Sequence, residues 1–205
     1  MTLPASQFRT FFYTTDPTGS DTIWKKRCDF VNNLKFEISQ VHAGWFVCLI
    51  GDVEIWASYI QMHDSPRQLL KLLGELMSGE REQGCVVFDE EPGCYILSIQ
   101  RGERDSFSLG FTEKNFLDFY PQYPDGAAVL PELPRTKSDA ETLLVLDYLD
   151  LYSFACAVGD AFSAYFTADL REQYAKHWMP FPMEEFIELR HTLGDYSENL
   201  RIMTD

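Results

Sequence analysis

The sequence predicts an α+β fold: an antiparallel meander sheet built as three strands, one helix and three more strands, covered by helices, with an all-helical C-terminal third. Three observations predict it. Between Leu34 and Thr112, strand-like runs are separated by turn residues, alternating apolar and polar at Leu34–Ser39 and Ser106–Thr112 and apolar on both faces at Trp45–Ile50. Inside that region, Leu69, Leu70, Leu72, Leu73, Leu76 and Met77 recur with the period of a helix. From Ser138 onward, helical spacing and a capping pattern replace the alternation.

Taken in order, Phe8–Thr14 reads as an edge strand and Thr22–Val31 as a short helix capped by Ser20. Leu34, Phe36 and Ile38 alternate with Lys35, Glu37 and Ser39 in a first sheet strand. Trp45–Ile50 is apolar on both faces, as in a central strand, and Gly51-Asp52 turns it into Val53–Ile60. There Val53, Ile55, Ala57 and Tyr59 share one face. Ser65 is placed to cap the helix, with Pro66 in its first turn, Gln68 closing a capping box and Gly79 ending it. Arg67, Gln68, Lys71, Glu75 and Ser78 fall on the side away from the leucines. Cys85–Asp89, Cys94–Arg101 and Ser106–Thr112 complete the strands, joined by the turns Glu90-Glu91-Pro92-Gly93 and Gly102-Glu103-Arg104-Asp105.

Pro121, Pro124, Pro131 and Pro134 exclude a long regular element from residues 113–137. Phe116, Phe119, Tyr120 and Tyr123 make that stretch too apolar for a free linker, so it is expected to dock on a single domain spanning 1–205. Ser138 and Glu141 read as a capping box, and Leu143–Phe166 as a helix apolar on nearly every face, interrupted by Asp147, Asp150, Gly159 and Asp160. Such a helix needs cover on several sides, from the sheet and from a neighbouring helix or another subunit. Pro180 and Pro182 break the pattern after Trp178, and a last amphipathic helix buries Phe186, Leu189, Leu193 and Leu200.

A chain of 205 residues can bury a substantial core. No apolar run approaches the roughly 20 residues that cross a bilayer, and residues 1–12 lack the pattern of a secretory signal. Cys28, Cys48, Cys85, Cys94 and Cys156 sit among apolar residues without metal-ligand spacing, which suits reduced core thiols and a cytoplasmic location. The net charge is −15, with −5 over residues 1–112 and −10 over 113–205. That sign disfavours nucleic acid and anionic membrane, and would steer a basic partner toward the C-terminal half.

The chain lacks a GxSxG elbow, a phosphate-binding GxxxxGK[ST] or GxGxxG loop, HExxH and an EF-hand loop, so no catalytic residue, metal or cofactor is assigned. His63-Asp64 reads either as a base with an orienting carboxylate or as a polar helix entry. Asp89, Glu90 and Glu91 read either as an acid–base or cation cluster or as a solvated turn. Trp24, Trp45, Trp56 and Trp178 either line a ligand pocket or fill core gaps. Glu184, Glu188, His191, Asp195 and Glu198 fall at helical spacing on one face of the last helix, opposite Phe186, provided that helix continues past Gly194. They form the candidate partner-binding ridge, and a solvent-facing helix of an acidic protein has the same pattern.

The run Gly44-Trp45-Phe46-Val47, then Asp64-Ser65-Pro66 with its paired leucines, Met77-Ser78-Gly79-Glu80, Val87 to Gly93, and Tyr95 resembles small bacterial proteins, among them immunity proteins. Those are acidic inhibitors that neutralise toxins delivered between competing bacteria. The resemblance covers residues 44–112 and implies a non-catalytic module that binds a basic toxin; it transfers no functional residue. Two alternatives stand beside it: a homo-oligomeric structural or regulatory subunit joined through the 143–166 helix, and an enzyme using His63 with the 89–91 carboxylates.

Overall fold

A computed structural model describes residues 34–58, 64–113 and 141–204. The strand expected at 8–14, the helix at 22–31, the connector over most of 113–137, and Trp24, Cys28 and His63 lie outside the described residues. All described residues fall in one unit of mutual contact, Asn32–Asp205.

Strands β1 (Phe36–His42), β2 (Trp45–Ile50) and β3 (Val53–Ser58) form one antiparallel sheet in chain order. The pleat sends Phe36, Phe46, Cys48, Ile50, Ile55 and Ala57 into the core. The β1–β2 turn is Ala43-Gly44, both at positive φ, a backbone that glycine adopts without strain. On the outer face Trp45 and Trp56 meet edge-on at 5.9 Å, while Trp178 is buried in the core, so the described tryptophans serve packing rather than one shared pocket.

Helix α1 (Ser65–Ser78) buries all six residues of the expected stripe. Its cap is displaced by one residue: Asp64, not Ser65, accepts the Arg67 backbone N–H, at 3.2 Å. Ser65 enters the first turn beside Pro66 and is itself buried. Gly79 ends the helix at φ 82°, the left-handed C-cap expected of it.

Strands β4 (Gln83–Asp89), β5 (Cys94–Gln100) and β6 (Ser106–Thr112) follow as an antiparallel meander, but in a second sheet rather than a continuation of the first. Strands β3 and β4 lie near each other without a shared ladder. Local alternation specifies each strand; which strands join is a non-local outcome that it does not encode.

The larger correction concerns the C-terminal third, which opens with a strand. Glu141–Leu146 is β7, paired antiparallel with β6 and last in the sheet among the described residues. That strand replaces the first part of the helix expected over 143–166, which is confined to Leu151–Ser163. Leu144 and Leu146 pack on the core while Leu143 and Val145 face outward, the alternation of a one-sided strand. Asp150, read from sequence as an interruption, is the N-cap of α2 (Leu151–Ser163): its carboxylate accepts the Ser153 amide at 3.0 Å and hydroxyl at 2.8 Å.

Helix α2 buries Leu151, Phe154, Ala155, Val158, Gly159 and Phe162 in this chain's own core. Helix α3 (Ala168–His177) reaches back to the first hairpin, where the Gly44 amide donates to the His177 carbonyl at 2.8 Å. Helix α4 (Met183–Thr204) begins after Pro182 and packs Phe186, Leu189 and Leu193 inward, as expected; the side chain of Leu200 is outside the described residues. Among the described residues no helix is long and apolar enough to cross a membrane, and no disulfide links Cys48, Cys85, Cys94 and Cys156.

Candidate functional site

Helix α4 presents two faces that its residue spacing separates. With Phe186, Leu189 and Leu193 committed to the core, Glu184, Ile187, Glu188 and His191 follow at steps of three, one and three on the exposed side. The helix runs 22 residues and passes Gly194, so positions 195 and 198 continue the face along the same backbone; the side chains of Asp195 and Glu198 are outside the described residues. Glu184 in the first turn is favoured by the positive end of the helix dipole.

Ile187, 52% exposed, sits among these charges. Sequence reasoning missed it, although its offset of three from Glu184 marks it as a ridge neighbour. Arg190 is turned aside to Asp160 of α2, with Nη1 2.8 Å from Oδ1. Glu185, one residue from the ridge, is half-buried and accepts Arg67 Nη1 at 2.8 Å. Ile187 is thus an exposed apolar side chain with Glu184 three residues before it and His191 four after it, Glu188 on the same side of the helix, and Arg190, three residues after it, paired with Asp160.

Asp64 proves to be structural. Its carboxylate accepts the Arg67 amide at 3.2 Å, Arg67 Nε at 3.0 Å and the Trp178 indole N–H at 3.2 Å. The Tyr174 hydroxyl is buried in the same region, and burial, reinforced by the Asp64 charge, lifts its pKa well above the ordinary value. This network ties the start of α1 to α3 and α4.

The carboxylates of the β4–β5 turn have diverged. Asp89 is fully buried, Glu90 half-buried and Glu91 exposed. Burial and then the Glu91 charge push Asp89 up to about 6, against the pull of the Glu91 backbone amide. Among the described residues no three His, Cys, Asp or Glu side chains are grouped to hold a metal ion. Because the folded-state pKa exceeds the unfolded value, folding is penalised progressively as pH rises from about 4 to about 6, and the penalty persists above that. Asp89→Asn should therefore raise the melting temperature at pH 8, by about 2–8 °C for roughly 1–2 kcal/mol, and the gain should vanish by about pH 4. Thermal melts at the two pH values decide it; an equal gain at both would remove ionisation as the cause.

An open groove of about 510 Å³ separates β1 from α2, floored by Phe36, Ile38, Ala157 and Ala161. A second cleft, about 280 Å³, lies between the 102–105 turn and the start of α2. Asp160 in the first is held by Arg190, and Asp150 in the second caps α2. Comparison with family models, with curated proteins and with solved structures finds no match to this chain.

Proposed function

We propose that this chain is a non-catalytic protein-binding module of the immunity kind, acting in the bacterial cytoplasm on a basic partner such as a toxin, and that α4 carries the contact. The observation behind this reading is the exposed Ile187 on the same side of α4 as the exposed Glu184, Glu188 and His191, on a helix whose other face is fixed in the core. A half-exposed isoleucine gains by being covered, so it supplies an apolar anchor. The carboxylates on that side, within a chain of net charge −15, draw a cationic surface toward it and orient its approach. The thiols suit a reducing compartment: burial raises Cys85 to about 11 and pushes Cys48 higher still, which keeps both as unreactive core residues.

The test is a pull-down from source-cell lysate with tagged wild-type chain beside Glu184→Lys/Glu188→Lys and Ile187→Asp, each washed at low and at high salt. A basic protein held by the wild type at low salt, released at high salt and depleted about tenfold by both variants is the expected result. Equal retention by all three proteins would remove α4 from the contact.

A further inference from the structure

Five large apolar side chains are exposed among the described residues, and three of them, Leu143, Val145 and Tyr148, lie on β7 or just past it. Val145 is 55% exposed and Leu143 37%. Strand β7 pairs with β6 on one side, and among the described residues no strand lies on the other. Its six residues, Glu-Thr-Leu-Leu-Val-Leu, include no proline and no lysine, the residues that commonly blunt a sheet edge. The irregularity in its pairing, at Leu109/Gly110, affects its register with β6.

An incoming strand would take up the outward-facing amides and carbonyls of β7, extend the four-stranded sheet and cover Leu143 and Val145. Charge decides between a second copy and a different chain. Exposed acids bracket the strand: Glu113 just past the end of β6, and Asp147 just past β7. Arg101 and Arg104 in the neighbouring cleft are offset there by Glu103, Asp105 and Asp150. Two copies, each of net charge −15, would bring like charges together along the seam. A basic-flanked segment meets opposite charge at both ends.

We propose that β7 is a docking edge that receives an extended apolar segment flanked by Lys or Arg from a partner protein, by strand addition. The edge lies on a different element from the α4 ridge and does not depend on it.

The probe is a synthetic peptide, KKVTVTVKK, with EEVTVTVEE as its charge-reversed control. Peptide binding is read by fluorescence anisotropy, and amide hydrogen exchange is followed over residues 142–146. The basic peptide should bind saturably and protect those amides; Val145→Lys should weaken it about tenfold, while Val145→Thr, which keeps the β-branched shape, leaves it within about twofold. Absence of protection up to about 1 mM peptide, or equal binding of the acidic control, would overturn the proposal. So would concentration-dependent self-association that Val145→Lys abolishes, since the occupant would then be a second copy.

Discussion

Phe162→Ala should destabilise the chain by about 4 kcal/mol and lower its melting temperature by roughly 8–16 °C. Phe162 is fully buried and is the ring on which three parts of the core converge. It stacks on Phe36 of β1 with centroids 6.4 Å apart and on Phe46 of β2 at 6.2 Å. It also tilts against Phe181, in the segment leading into α4, at 6.2 Å. Truncation removes the transfer energy of the ring and leaves a cavity that stiff aromatic neighbours cannot close. Phe162→Leu keeps most of the volume and should cost only about 1–1.5 kcal/mol. Denaturant melts separate the two; a loss below about 1 kcal/mol for Phe162→Ala would show that these rings do not hold the layers together.

The second large effect is expected at Asp64. Asp64→Ala removes the N-cap of α1, the carboxylate partner of Arg67 and the acceptor of the Trp178 indole together. The combined loss should be about 3 kcal/mol. Asp64→Asn retains an oxygen for the cap and should lose about 1 kcal/mol. Equal losses for the two variants would locate the stabilisation in the charge rather than in the hydrogen-bond geometry. Because Arg67 also holds Glu185, beside the ridge, Asp64→Ala should loosen the base of α4 as well, raising hydrogen exchange in its first turns.

These two sites show what local pattern carries and what it does not. The leucine stripe of α1, the alternation of β6 and the inward face of α4 follow periods of 3.6 and 2 that can be read within a dozen residues, and the structure keeps them. The segment Thr142–Leu146 is ambiguous in sequence because Thr-Leu-Leu-Val-Leu fits a buried helix turn as well as a strand. What selects the strand is the open edge of β6, about thirty residues upstream and beyond a proline-rich stretch. Asp150 carried the missing signal, since a carboxylate three residues before Ser153 marks a helix start as readily as an interruption. Long-range polar contacts left no local trace: Trp178 meets Asp64 across 114 positions. The acidic residues of α4 are legible as spacing along one helix, whereas Ile187 carries no charge and stands outside the apolar stripe, so neither pattern includes it.

The claim that α4 is a charge-steered contact is tested most directly by the association rate of the protein captured in the pull-down, followed by stopped flow from about 50 to about 500 mM salt. Over that range the Debye length contracts from roughly 14 to roughly 4 Å. The wild-type rate should fall at least tenfold, and Glu184→Lys/Glu188→Lys should be slow throughout with a flatter salt dependence. A wild-type rate indifferent to salt, or a variant that associates as fast as the wild type, would contradict it.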